Sequence, residues 1–382
     1  MVDFTYHNPT KIEFGKDKEK LIGTALAQNG IKKVLLCYGS ERIKSDGLYA
    51  KITQSLQAQG IAWIDFSGIV SNPTLSKVHE GIALAKKEHV DAIVAVGGGS
   101  VLDSSKTIAT GALYDKDVWD FFVGKAMIEK ALPVFAIMTL AATGSEMNGF
   151  AVITNDTTTQ KYHIHSECIY PRVSILNPDL TKSVPNNYLA YSAVDIIAHV
   201  IEGYFTASIQ PHFQSRIVES IIKTVMETTE ILLKNPNDYN ARGEFTWAAT
   251  QALNGLTTAG TNPPGFPNHM IEHSLSALFN VPHGAGLAIV IPAWMKWFYT
   301  RNLAQFERFS KEIFGKNSAE EGITLLKQWF AKIGAPVSLK EVSISTDAIV
   351  EIAKNAAQSA IREGASELYT QERIEEILRN AQ

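Results

Sequence analysis

Asp195 and His199 stand four apart in AVDIIAHVIEGYF, and His269 and His273 repeat that spacing in HMIEHSLSALFNVPHG, where His283 follows ten residues later. On a helix, residues four apart project from one face. The neighbours Ile196, Ile197, Val200 and Ile201 are apolar, so the face carrying Asp195 and His199 is expected to be buried. One buried histidine is ordinarily a hydrogen-bonded core residue. Burying four with an aspartate would cost several kcal/mol without a shared partner, and a divalent cation would satisfy them together. Imidazole and carboxylate suit Fe²⁺, Zn²⁺, Co²⁺ or Ni²⁺, and the lack of cysteine in the cluster argues against a structural zinc knot. The candidates exceed four ligands by one, and spacing alone does not decide between His269 and His273. A rival pair, His163 and His165 in KYHIHS, shares one face of an expected strand. No third ligand lies near it in sequence, so the pair is read as exposed or packing residues.

In DAIVAVGGGSVLDSSKTIA an apolar strand runs into Gly97, Gly98 and Gly99, and Ser100 begins a helical pattern carrying Asp103 and Lys106. A glycine turn lets backbone amides approach a ligand, and the helix N-terminus adds free N–H groups and partial positive charge, which together suit a pyrophosphate. The glycines are consecutive, unlike the spaced G-x-G-x-x-G fingerprint, and no acidic residue ends a following strand in the expected register. A second strand, KKVLLCY, ends in Tyr38 and is followed by Gly39 and Ser40, with Arg42 and Lys44 close behind. A carboxylate at such a strand end binds the ribose 2′-hydroxyl and repels a 2′-phosphate. Gly39 and Ser40 at the strand end offer no carboxylate, so small groups and nearby cations favour NADP(H) over NAD(H).

These residues need elements to place them. Before residue 184, β-rich runs (KKVLLCY, IAWIDF, DAIVAV, PVFAIMTL, RVSIL) alternate with helical stretches such as LSKVHEGIALAKKEHV, the pattern of an α/β layer with a mostly parallel sheet. Beyond it, long helical patterns dominate. The expected organisation is a Rossmann-like nucleotide-binding α/β domain over 1–183 and an all-helical metal and substrate domain over 184–382, divided at SVPNN, where Pro185 can open a helix. A chain of 382 residues that is 45% apolar can bury such cores. A net charge of −4 gives no global cationic field for nucleic acid or an anionic membrane. No apolar stretch reads as a signal peptide or a bilayer span. Cys37 and Cys168 match no zinc, redox or disulfide pattern. A cytoplasmic protein is expected.

The segments VGGGSVLDSSK, TLAATGSEMNGFAVIT, DIIAHVIE, HMIEHSLSALFNVPHGAGLAIVIPAWM and QFERFSKEIFG resemble the iron-containing alcohol dehydrogenases, specifically their NADPH-linked butanol dehydrogenase branch. The resemblance runs in order from HNPTKIEFG to the final helices. It implies the two-domain architecture shared with dehydroquinate synthases. It implies metal ligation by Asp195, His199, His269 and His283, with His273 left near the substrate as a proton relay. The pyrophosphate loop falls on Gly98, Gly99 and Ser100 with Asp103 nearby, and further cofactor positions fall on Asn72, Thr139, Thr143 and Lys161. Gly39, Ser40 and Lys44 would border the 2′-position, although relatives commonly read YGGGS where this chain reads YGSER. Iron is the implied metal, with zinc or nickel as alternatives, and a homodimer is the implied assembly.

The implied reaction moves a hydride between NAD(P)H and a small primary alcohol or aldehyde, the metal polarising the substrate oxygen. The loop TNPPGFPNH replaces a segment in which relatives often carry an acidic residue and a tryptophan, so a different pocket shape is expected. Phe266, Phe279 and Trp294 are expected around the metal motif and suit an uncharged substrate. Two alternatives stand beside this reading. A dehydroquinate synthase-like lyase would need Lys and Arg around a phosphorylated sugar acid, and a non-catalytic binding protein would keep the fold without turnover.

Overall fold

A computed structural model describes residues 1–382. By internal contacts the chain forms two units, Asn8–Ser183 and Val184–Gln382, the second including Met1–His7. Those first seven residues, assigned above to the nucleotide-binding domain, thus belong with the helices. Val2 N–H donates to Gly260 O at 3.1 Å, and a Cβ on Gly260 would meet Met1 and Phe4 side-chain atoms at 2.9 and 3.1 Å.

The α/β unit holds strands β1 (Lys11–Phe14), β2 (Lys33–Tyr38), β3 (Ala62–Phe66), β4 (Ala92–Gly97), β5 (Val134–Met138), β6 (Phe150–Asn155), β7 (Gln160–His165) and β8 (Val173–Leu176). Its helices are α1 (Ile22–Gln28), α2 (Arg42–Ser45), α3 (Leu48–Ala58), α4 (Leu75–Glu88), α5 (Gly99–Gly111) and α6 (Trp119–Phe122). Six strands make one parallel sheet in the order β1-β8-β5-β4-β2-β3, while β6 and β7 form a separate antiparallel pair. Alternation along β2 and β4 sorts side chains onto two cores. Leu35, Cys37, Ile93 and Ala95 join residues of α4 and α5, whereas Val34, Leu36, Ala92 and Val94 join those of α1 and α3. With helices covering both faces, the strands read as continuous apolar runs.

Strand order fixes where a ligand can sit. From β2 the chain proceeds outward to β3 and then returns to β4 on the other side of β2, so the C-terminal ends of β2 and β4 flank the switch point of an open α/β sheet. Tyr38 lies opposite Val96 and Gly97 opposite Met138. The turns after β2, β4 and β5 therefore adjoin one another.

The helical unit holds α7 (Asn186–Thr206), α8 (His212–Lys234), α9 (Tyr239–Ala252), α10 (Pro267–Phe279), α11 (His283–Phe298), α12 (Leu303–Phe314), α13 (Ala319–Lys332), α14 (Ile349–Arg362) and α15 (Gln371–Arg379). Helix α7 is buried almost throughout from Leu189 to Phe205, which explains an apolar pattern wider than a single stripe. Pro267 occupies the first turn of α10, and Pro282 precedes α11 so that His283 begins it. Glycines set the helix spacing. A Cβ on Gly284 would lie 2.1 Å from the Tyr191 carbonyl oxygen, and one on Gly286 would lie 2.5 Å from Glu272 Oε1. The sequence HGAG thus lets α11 approach α7 and α10 more closely than side chains would allow. No helix is long and apolar enough to cross a membrane.

Candidate functional site

Within the helical unit, Asp195 and His199 on α7, His269 on α10 and His283 at the start of α11 converge. Asp195 Oδ1 lies 3.6 Å from His199 Nε2, 3.6 Å from His269 Nε2 and 3.5 Å from His283 Nε2. None of these is a hydrogen bond by distance. Asp195 Oδ1 and His269 Nε2 are buried with no hydrogen-bond partner, as is His199 Nδ1. Two atoms each ~2.1 Å from one ion and subtending a tetrahedral angle stand about 3.4 Å apart. The carboxylate-to-imidazole separations match that spacing, so a four-coordinate divalent cation fits this donor set and would satisfy Asp195 Oδ1 and His269 Nε2, otherwise orphaned.

Electrostatics agree. Burial favours a neutral Asp195, yet His199, His269 and His283 around it hold its carboxyl well below the usual range. Burial pushes His199 down to about 3, which keeps the imidazole neutral as a ligand must be. Burial also opposes charge on His269, but the carboxylates of Asp195 and Glu202 beside it carry it up to about 10.

His273 lies one turn beyond His269 on α10, its ring centroid 5.6 Å from that of His283 and 6.4 Å from that of His269. It forms a second close group with Glu272 and His283, whereas the group around Asp195 holds His199 and His269. Of the three aromatics expected here, only Phe266 touches a ligand candidate, packing edge-on against His269 at 5.7 Å. Trp294 donates to the Tyr369 hydroxyl and stacks on Phe298. It sits eleven residues along α11 from His283, about 16 Å at helical rise. Phe279 is exposed at the far end of α10. Neither lines the centre, because proximity in sequence along a helix carries a side chain away at each turn. His163 and His165 belong to no group of three ligand atoms, and His165 packs its ring on Phe150 at 4.5 Å.

Sequence reasoning missed two glutamates here. Glu202, wholly buried on α7, accepts from His269 Nδ1 at 2.5 Å and from the backbone N–H groups of Asn268 at 2.9 Å and His269 at 3.0 Å. Glu272, wholly buried on α10, accepts from His283 Nδ1 and from the Ser276 hydroxyl, the latter at 2.5 Å. A signal existed. Each is an acid inside an otherwise apolar helical run, beside or three residues from a histidine.

The nucleotide candidates gather in the other unit. Gly98 caps α5, with Gly99 and Ser100 in its first turn, and a Cβ on Gly99 would meet Thr143 at 2.4 Å. Thr139 N–H donates to Gly97 O at 3.0 Å, tying the end of β5 to the glycine turn. Lys161 Nζ, on β7, donates to Asn72 Oδ1 at 3.0 Å, with Asn72 in a left-handed turn after β3. Asp103 is committed inward, its carboxylate accepting from the Ser145 hydroxyl at 2.7 Å and Val152 N–H at 3.0 Å. Lys106, fully buried, donates to Ser145 Oγ, Asn148 and Phe150 O at 2.8 to 3.2 Å. The two together anchor the loop after β5 and the start of β6.

At the β2 end, Gly39 and Ser40 follow Tyr38, and the turn carries an acid that the reading of the strand end overlooked. Glu41 Oε2 pairs with Lys44 Nζ at 2.7 Å. Arg42 donates to Ser183 O at 3.2 Å.

Comparisons with known proteins cover both units. Residues 9–178 match the family model "Iron-containing alcohol dehydrogenase", and residues 189–382 match "Fe-containing alcohol dehydrogenase family, C-terminal". The chain is 39% identical over 364 residues to the probable NADH-dependent butanol dehydrogenase 1 of Bacillus subtilis, covering 93% of this chain and 94% of that one. It is 32% identical over 363 residues to the NADPH-dependent aldehyde reductase YqhD of Escherichia coli, covering 93% and 92%. The crystal structure of NADH-dependent butanol dehydrogenase A from Thermotoga maritima aligns with a TM-score of 0.97 at 47% identity, covering 100% of this chain and 99% of that one. Two adjoining family models thus account for nearly the whole sequence, and on that ground this chain belongs to the iron-containing alcohol dehydrogenases.

Proposed function

We propose that this chain is a metal-dependent alcohol dehydrogenase working as an aldehyde reductase on small uncharged substrates, with Asp195, His199, His269 and His283 holding an Fe²⁺ ion. The observation that carries the reading is the set of 3.5–3.6 Å separations from Asp195 Oδ1 to three imidazole Nε2 atoms, too long for hydrogen bonds and right for a shared cation. When bound, the metal supplies Lewis acidity toward the substrate oxygen, and a nicotinamide supplies or receives the hydride. His273, one turn from His269, is placed to exchange the hydroxyl proton with solvent, which an imidazole can do near neutral pH. Phe266 presents an apolar ring beside His269 and favours a short aliphatic chain over a charged sugar acid.

In the nucleotide unit, the amides of Gly98, Gly99 and Ser100 at the start of α5 are placed to receive the pyrophosphate. Thr139 and Thr143 border the same turn, and the paired Asn72 and Lys161 are further candidates to contact the cofactor, whereas Asp103 acts by holding the loop that carries Thr143. Gly39 and Ser40 border the ribose. The expectation of NADP(H) rests on Lys44 and Arg42, but Lys44 pairs with Glu41 and Arg42 donates to a backbone carbonyl. A carboxylate at this position opposes a 2′-phosphate, so NADH is accepted here and Glu41 sets the ratio against NADPH.

Two properties complete the reading. The free thiols Cys37 and Cys168 fit a reducing cytoplasm. Strand β1 leaves one edge of the sheet open beside an exposed Phe14, a self-complementary edge suited to a homodimer.

The test is anaerobic purification with metal analysis, then NADH and NADPH oxidation against short straight-chain aldehydes and a phosphorylated sugar acid. Turnover of the aldehydes alone, proportional to bound Fe²⁺, is expected. Turnover of the sugar acid, or aldehyde reduction independent of metal, refutes the reading.

A further inference from the structure

The four ligand candidates differ in what stands behind them. His269 and His283 each turn Nδ1 to a wholly buried carboxylate and Nε2 toward Asp195, whereas Nδ1 of His199 has no partner. The geometry points to Glu202 and Glu272 as positioning residues that fix the tautomer and aim of the metal-facing imidazoles. This rests on the metal reading above and assigns the residues that hold its ligands in place.

Each carboxylate can only accept, so each requires a proton on Nδ1 and leaves Nε2 with its lone pair free. Each also comes from a neighbouring helix. Glu202 on α7 reaches His269 on α10, and Glu272 on α10 reaches His283 on α11. Three helices are therefore stitched in series at the level of the ion. Gly286 makes the second stitch sterically feasible, since a Cβ there would meet Glu272 Oε1 at 2.5 Å and Cγ at 2.7 Å.

The two glutamates have unequal second duties. Glu202 also accepts from two N–H groups in the first turn of α10, where Phe266 as the N-cap offers no side-chain bond. It caps that helix from across the interface. Glu272 also accepts from the Ser276 hydroxyl on its own helix, a modest local duty. Replacing Glu272 by Gln keeps its shape but leaves one acceptor oxygen where two donors arrive. The amide NH₂ then faces either Ser276, whose hydroxyl can rotate, or His283 Nδ1, which it would drive to the tautomer protonated on Nε2.

The experiment uses the full chain, stripped with a chelator and reloaded with Zn²⁺ or Co²⁺. Glu272→Gln should weaken Zn²⁺ binding by roughly 10- to 100-fold, the usual effect of losing an outer partner of a metal-bound histidine. It should alter the visible absorption of the Co²⁺ form and leave the melting temperature of the stripped protein unchanged. Glu202→Gln should weaken Zn²⁺ binding comparably and also lower the melting temperature of the stripped protein, because the cap of α10 is lost. Ser276→Ala, which removes the hydroxyl with its bonds to Glu272 and to Val281 O, should keep metal affinity within about threefold. The inference is overturned if Glu272→Gln binds Zn²⁺ within threefold of the parent with the parent's Co²⁺ spectrum, or if Ser276→Ala weakens binding as much as Glu272→Gln. A parent that binds no stoichiometric metal overturns the metal reading itself, an outcome distinct from unaffected variants in a metal-binding parent.

Discussion

Gly284→Ala tests the claim that helix spacing, and not ligand identity alone, makes the metal centre. A Cβ at this position would stand 2.1 Å from the Tyr191 carbonyl oxygen, 2.6 Å from its carbon and 2.8 Å from its Cα. All three are backbone atoms, so no rotamer change relieves the contact. Ordinary van der Waals separation requires α11 to retreat from α7 by about 1 Å. Gly284 adjoins His283, and Tyr191 is one turn before Asp195, so the retreat falls directly on the 3.5 Å separation between His283 Nε2 and Asp195 Oδ1. Metal–ligand bonds tolerate about 0.2 Å, hence the variant should lose most of its affinity for the ion, by 100-fold or more. Overpacking should also reduce unfolding stability by about 1–3 kcal/mol, partly offset by the ~1 kcal/mol that alanine gains over glycine within a helix. Chelator competition for Zn²⁺ and denaturant unfolding measure the two effects separately. Unchanged Zn²⁺ affinity in a folded variant would refute the argument, since it would mean that His283 reaches the ion without the close approach of α11.

Three further outcomes follow from the geometry. His273→Ala should lower turnover roughly 100-fold with metal content retained, measured by metal analysis beside steady-state rates; loss of metal would move His273 into the ligand set. Glu41→Ala should raise kcat/KM for NADPH relative to NADH about tenfold, a shift near 1.4 kcal/mol, and an unchanged ratio would remove Glu41 from cofactor selection. Glu363, largely buried at the end of α14, is pushed by burial up to about 7 from an ordinary value of 4.5. Its folded form therefore holds a proton that the unfolded chain releases, and its contribution to stability, complete below pH 4.5, is lost as pH rises through 7. Glu363→Gln should accordingly gain up to about 3 kcal/mol on the parent between pH 5 and pH 8, and a pH-independent difference in unfolding free energy would contradict this.

Much of the architecture was legible because it is written in local periodicity. Buried parallel strands such as AIVAVG read as apolar runs, and the four-residue spacing of Asp195 with His199 placed both on one helical face. The glycine turn announced itself by composition. What remained hidden was pairing between distant positions. Glu202 and His269 are 67 residues apart in sequence, so the apolar run around Glu202 marks a buried acid but does not say which imidazole it meets. Likewise, Gly284 and Gly286 carry no signal in their own segment, since the need for glycine arises from atoms on α7 and α10. Trp294 and Phe279 misled for the opposite reason, being close to the metal motif in sequence and turned away from it in the helix.

The placement of Met1–His7 bears on how the molecule is made. During synthesis the amino-terminal residues leave the ribosome first, and domains generally fold in the order they emerge. Here the leading segment docks on Gly260 and its neighbours, which are not translated until the nucleotide-binding unit is already complete. Residues 1–7 therefore find their partners at Gly260 only after the whole α/β unit between them has been made, and Met1, Phe4 and Tyr6 stay largely exposed even then.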